Sequence, residues 1–292
     1  MRANDALVLA VALLGICTTG PIIAESSVPP LALAAWRCLL GALVLAAVAS
    51  IRHWGQWRQL TRSQWRGMFA AGVFLALHFA TWVPSIKLTT VASSTALVAT
   101  QPVWAALFAK ARGRQISRSM WCGIAISLSG AVWLAGADFA VASPRALLGD
   151  ALALLGAILA AAYVTAGEQV RASVGTNVYS AVVYGIAACL LLVIAGATKT
   201  TLNGWDADQW SSIIALTVFG QLIGHTLINR VLLTTSATVT STAILFEMPG
   251  STLIAAVWLQ QTPPTQVWPA LALVLVGLYL VVRAQATLNA RR

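Results

Sequence analysis

Long apolar runs alternate with short polar breaks over the whole length of this chain. Each run is close to the 20 or so residues a helix needs to cross a hydrocarbon core. Ten are predicted, at 6–24, 31–50, 67–86, 88–109, 119–137, 147–170, 177–197, 209–230, 235–259 and 266–284. Turn formers punctuate them, among them Pro29-Pro30, Gly113, Ser143-Pro144, Asn203-Gly204 and Pro263-Pro264. No connection is long enough for a soluble domain. The pattern predicts an all-α integral membrane protein.

The polar positions inside the runs recur. Ser94-Thr95-Ala96 through Pro102 reappears 147 residues later as Ser241-Thr242-Ala243 through Pro249. The same offset, without a gap, pairs Gly20 with Gly167, Leu75 with Leu222, His78 with His225, Trp121 with Trp268 and Gly130 with Gly277. Matches of His, Pro, Trp and Gly in one register are costly in so apolar a chain. The expectation is one five-helix unit written twice, at 1–146 and 147–292. Five is odd, so the second unit enters the membrane inverted, as in secondary transporters with a substrate site near the midplane.

Composition agrees. Hydrophobic residues are 59% and charged residues 9%, against roughly 25% charged in a soluble domain. The formal charge of +10 marks topology, not nucleic-acid binding, because the cations fall in short loops. Fourteen of 18 Lys and Arg lie on one side: Arg2, Arg52, Arg58, Arg62, Arg66, Lys110, Arg112, Arg114, Arg118, Arg171, Arg230, Arg283, Arg291 and Arg292. Lys87, Arg145 and Lys199 lie on the other, and Arg37 lies inside a helix. Both termini are therefore expected in the cytoplasm. The start, MRANDALVLAVALLGIC, has the length of a signal peptide, but its partner near 153–171 marks it as a retained first helix. The four cysteines are isolated in apolar runs and read as small buried side chains.

The 5+5 repeat, the Ser-Thr-Ala…Pro blocks, Glu247 near Pro249 and the Trp121…Gly130 and Trp268…Gly277 helices together resemble the drug/metabolite transporter superfamily in its ten-helix, EamA-type form. Within it the chain most resembles the bacterial amino-acid exporters of the YddG type. The resemblance implies a multi-pass protein of the bacterial inner membrane that exports amino acids, aromatic and other neutral ones, or related metabolites.

Polar side chains inside a bilayer need a reason. Gln221, His225 and Asn229 recur every four residues and would share one helix face. That face is either a cavity wall or an interhelical hydrogen-bond seam. His78 and His225 are repeat mates able to carry a proton or donate to a carboxylate; no further ligand is spaced to make them a metal site. Glu247 is a candidate for a substrate ammonium or a coupling proton, or it bonds helix four or a backbone freed by Pro249. Arg37 snorkels outward, pairs with Glu25 or meets a substrate carboxylate. Glu168 beside Arg171 reads as a solvated neighbour pair. Trp82, Trp104 and Tyr163 line a pocket or pack, and Gln101 sits beside Pro102. Trp54, Trp57, Trp65, Trp205 and Trp210 read as interfacial belt residues. Pro84, Pro102 and Pro249 are candidate kinks.

An intramembrane enzyme is disfavoured by the absence of HExxH and GxSxG, and an ATP-driven pump by the absence of a phosphate-cradling loop. No cofactor is called for. The expected partners are a small-molecule substrate, membrane lipid and protons. A monomer is sufficient, since both halves are on one chain. The alternative cargo is hydrophobic cations, as in multidrug efflux.

Overall fold

A computed structural model of the chain describes residues 3–89, 91–135, 143–258, 265 and 267–290. Those residues form helices and the turns between them, with no strand among them. The expected turn at Pro263-Pro264, the cations Arg2, Arg291 and Arg292, and the predicted helix ends at 136–137, 259 and 266 lie outside the described residues.

Eight helical stretches are long and apolar enough to cross a membrane. The first is α1 (Ala3–Cys17) with α2 (Thr19–Glu25). Next come α3 (Pro30–Arg52), the short α4 (Trp54–Arg58) and the spanning α5 (Arg62–Leu88). Later spans are α9 (Pro144–Arg171), α10 (Thr176–Ala197) and the stretch built from α11 (Ala207–Ala215), a π-helical segment (Leu216–His225) and α12 (Thr226–Val231). The last two are α13 (Ala237–Ile244) with α14 (Glu247–Trp258), and α15 (Val267–Ala290). Between α5 and α9 lie α6 (Val91–Val98), α7 (Gln101–Ala111) and α8 (Arg118–Ala135).

The helix starts follow capping chemistry. Thr61 and Gln64 form a capping box at α5, and Asp206 and Gln209 form one at α11. Ser143 accepts from the Ala146 amide with Pro144 at the first position of α9. The interior breaks follow proline. Pro21 has no N–H to give the Cys17 carbonyl, and the Ser251 hydroxyl takes that carbonyl instead, at 2.7 Å. The first stretch therefore breaks at Thr18, where an unbroken helix is expected from hydropathy. Pro102 follows the break between α6 and α7, and Pro249 lies in the first turn of α14 after the break at Leu245–Phe246. Pro84 sits inside a continuous α5.

Small residues let the helices close on one another, as membrane packing requires. α5 and α9 run antiparallel. A β-carbon at Gly156 would lie 3.2 Å from that of Trp82, and one at Gly149 would lie 2.8 Å from the Thr89 nitrogen. α1 packs in the same way on the π segment, with Gly15 against the Phe219 carbonyl and Gly224. α8 and α15 also run antiparallel, Gly123 facing Gly277 and Gly130 facing Ala270. At the centre of that seam the Ser127 hydroxyl donates to the Val274 carbonyl at 3.2 Å, across 147 residues of sequence. α3 packs along α10, and α7 meets α13.

Candidate functional site

Six of the predicted polar and aromatic residues come together in the middle of the bundle. His78, Trp82, Gln101, Tyr163, His225 and Glu247 line one cavity of about 30 Å³. A neighbouring cavity of about 20 Å³ shares Trp82, Gln101 and Glu247 and adds Pro102. A buried water needs about 10–15 Å³ of such space, so this conformation has room for a few waters and none for an amino acid.

Each wall residue has a distinct anchor. The His78 Nδ1 meets the Gly156 carbonyl at 2.9 Å. A carbonyl only accepts, so Nδ1 carries the proton. The ring lies stacked on Trp82, with centroids 5.6 Å apart and 7° between planes. His225, its repeat mate, has no such anchor. Its Nδ1 is buried without a hydrogen-bond partner, and its ring stands edge-on to Phe79 at 5.3 Å. Glu247 Oε1 accepts from the Thr19 hydroxyl at 3.0 Å, a partner on α2 instead of helix four or a freed backbone. Gln101 donates to Ser241 at 2.9 Å, joining the two Ser-Thr-Ala blocks.

The four-residue spacing of Gln221, His225 and Asn229 leads to three different surroundings. Residues 216–225 are wound as a π-helix, whose i→i+5 bonding changes the period. Gly220 and Gly224 weaken the α preference there. The Thr226 hydroxyl donates to the Gln221 carbonyl at 2.9 Å, satisfying that group from the side. Gln221 turns to Arg37, accepting from its Nε at 2.9 Å. His225 faces the cavity. Asn229 is fully enclosed in a seam: its Oδ1 accepts from the Tyr163 hydroxyl at 2.6 Å, and its Nδ2 donates to Ser180 and Tyr184. Trp104 lies off both cavities, half-buried, with its indole N–H on Thr100.

Three further sequence expectations are corrected by the packing. Arg37 neither snorkels nor pairs with Glu25; it is fully buried. Arg171 is not a solvated partner of Glu168. It is 1% exposed and donates to the Asn229 carbonyl at 2.7 Å, to the Val174 carbonyl and to Thr176. Glu168 instead meets Arg114 at 2.5 Å. Of the five tryptophans expected at interfaces, Trp54 and Trp65 are exposed, whereas Trp57, Trp205 and Trp210 pack against the core.

Both ends of the bundle are tied. At the basic end, the Arg114–Glu168 pair is joined by Arg112, which donates to the Thr165 carbonyl at 3.2 Å. Beside them opens a wider polar cavity of about 300 Å³, lined by Thr234, Thr235, Ser236 and Gln285. At the opposite end Lys87 donates to the carbonyls of Ala24 and Ser26, and Gln209 donates to Ser27. Asn229 and Arg171 are the structural polar residues whose roles sequence did not separate from the cavity or the loops. Thr19 is a functional candidate missed altogether, its signal being only a Thr one residue before a Gly with a repeat mate.

Comparison with curated proteins gave no match. Among solved structures, one described as "Crystal structure of protein" superposes with a TM-score of 0.79 at 20% identity, covering 99% of each chain, which establishes a shared fold. A family model, the EamA-like transporter family, matches twice, at residues 4–136 and 147–283. With both matches spanning nearly the full length, and with a polar cavity inside a bundle of apolar helices, the chain belongs to the EamA-like transporter family and moves small molecules across a membrane.

Proposed function

We propose that the protein is a secondary transporter exporting amino acids, aromatic and other neutral ones, or related metabolites from the bacterial cytoplasm. The observation that carries the reading is the central cavity. It takes His78, Trp82, Gln101 and their neighbours from one matched stretch and Tyr163, His225 and Glu247 from the other. Ten spans form two inverted units, 1–146 and 147–292, with both termini in the cytoplasm. The two remaining spans are α6–α7, split by its proline break, and α8. The seam of α8 and α15 supports the inversion. Ser127 bonds its own counterpart Val274, as a residue on a two-fold axis does. The pairs Gly123–Gly277 and Gly130–Ala270 exchange under the 147 offset. Because the helices are antiparallel, that axis runs across them, in the membrane plane.

In this reading one unit rocks against the other about the cavity, and the ties at Arg114–Glu168 and at Lys87 close the two mouths in turn. The prolines Pro84, Pro102 and Pro249 supply the bends. His78 and His225 are the candidates to carry a proton. A monomer suffices. The test is counterflow in proteoliposomes, loaded with one unlabelled amino acid and given trace label outside, with and without a pH gradient. Accumulation for several neutral amino acids, reduced at least tenfold in His225→Ala, is the expected result. Indifference to the pH gradient would remove protons from the cycle. One feature favours a second cargo: the Glu247 carboxylate beside Trp82 is suited to a hydrophobic cation. Dye accumulation lost in Glu247→Gln, with no amino-acid counterflow, would put that reading first.

A further inference from the structure

Arg37 stands about two turns into α3 with no exposed surface. A guanidinium stays charged at any accessible pH, and in a bilayer it calls for a countercharge. None is there: no carboxylate lies within 4.0 Å of it among the described residues. Glu247 is engaged by Thr19. Arg37 is held by its Nε alone, on Gln221 Oε1 at 2.9 Å. Its Nη1 and Nη2, the Gln221 Nε2 and the His225 Nδ1 are all buried without partners. Buried orphan donors are rare, and several in one cluster point to an acceptor that comes and goes.

In this conformation the fork is closely packed. A β-carbon at Gly220 would sit 3.0 Å from Nη2 and 2.7 Å from the Thr19 methyl, so a residue larger than glycine there would press on it. Over its face lies Phe79, whose ring centroid is 4.4 Å from the guanidinium carbon. The same ring meets the edge of His225, a cavity wall. Phe79 therefore stands between the fork and the cavity.

We propose that Arg37 and Gln221 form a carboxylate-binding subsite that joins the central cavity when the Phe79 ring turns aside. The inference rests on the cavity being the transport site, and it specifies the cargo: a molecule with a free carboxylate. Two parallel N–H groups of a guanidinium match the two oxygens of a carboxylate, with the Gln221 amide as a third donor. A substrate amino group is then left for Glu247, on the far side of Thr19. The cargo's carboxylate supplies the countercharge that α3 lacks.

The test compares phenylalanine with phenylalaninamide, which keeps the ring and the amine and lacks the carboxylate. Binding is read in detergent as ligand-induced thermal stabilisation, and flux as counterflow in vesicles. The expected result is stabilisation by the acid at concentrations at least about tenfold lower than by the amide, the effect of one charge-assisted hydrogen bond. Gln221→Glu places a carboxylate against the fork. This variant is expected to melt no lower than the native protein and to lose the preference for the acid. Arg37→Lys, which keeps the charge without the planar fork, is expected to lose the preference too. Equal stabilisation by acid and amide, stabilisation by neither, or a Gln221→Glu protein that still prefers the acid would each overturn the subsite. Acid-selective binding without counterflow would leave the subsite standing and overturn the transport reading instead.

Discussion

The seam between α8 and α15 makes a prediction in which one substitution has opposite signs at two sites. Gly277 faces the backbone of α8: a β-carbon there would meet the Gly123 carbonyl, the Ser127 hydroxyl and, at 2.6 Å, the Ser127 nitrogen. Two of these are backbone atoms of a packed helix and cannot swing away. Gly277→Ala must part the helices, stretching the Ser127–Val274 bond, already 3.2 Å long. Overpacking of this kind costs about 1–3 kcal/mol. Gly185, in the middle of α10, has as its nearest neighbour the Ala42 β-carbon at 4.0 Å, an ordinary contact. Gly185→Ala therefore keeps its packing and gains the helix preference of alanine, about 0.5–1 kcal/mol. The two variants should differ by about 1.5–4 kcal/mol, the combination of those two effects. Reversible unfolding in mixed micelles, with denaturant midpoints compared at constant slope, measures the difference. If Gly277→Ala unfolds with or after the native protein, the close approach of α8 and α15 is wrong, and with it the axis drawn through Ser127.

Other substitutions separate structural polar groups from transport groups. Arg171→Met removes donors from three acceptors in a buried turn, and should cost at least about 1.5–3 kcal/mol, the value of one hydrogen bond to a charged group, read as a lower melting temperature in detergent. Asn229→Leu strands the Tyr163 hydroxyl and should destabilise by about 1–3 kcal/mol; a variant as stable as the native protein that fails only in counterflow would return Asn229 to the cavity. Glu168→Gln should change stability by less than about 1 kcal/mol, because Arg114 is 47% exposed and solvent screens the pair, while raising the access of water-soluble maleimide to a cysteine placed at Thr235. Of the four cysteines expected to be buried, Cys122 and Cys189 are exposed, whereas Cys17 and Cys38 are buried and should resist the same reagent in the folded protein and react once it is denatured.

Hydropathy carried the helical architecture a long way. The apolar spans can be read because lipid selects apolar surface along a whole helix. His78, Trp82, Gln101, Tyr163, His225 and Glu247 were legible as cavity candidates because a polar group inside a span must be enclosed by something. What encloses it was not legible. Asn229 and His225 look alike by that rule, yet one is saturated by Tyr163, Ser180 and Tyr184 and the other has an unpartnered nitrogen. Arg171 ends a helix, where cations are usually wet, and nothing in its neighbours announces that the following turn folds over it. Gln221 is bonded to Arg37, 184 residues away in sequence, which no spacing announces, and the chain around it is wound wider than an α-helix.

That wide winding has a consequence for chain length. Gly20 matches Gly167 before the π segment and Ser94 matches Ser241 after it at one offset, so the two halves have the same length of chain across it. The corresponding stretch of the first half lies in α5, which is α-helical as far as Leu88. Its counterpart stops at Val231, short of Thr235, the residue matched to Leu88. Equal lengths of chain have thus been taken up in two ways, one as reach and the other as girth. A helix that can trade girth for reach can extend or shorten its end without gaining or losing a residue, and the Thr234–Ser236 turn at the rim of the larger cavity is where that slack would be drawn in or paid out.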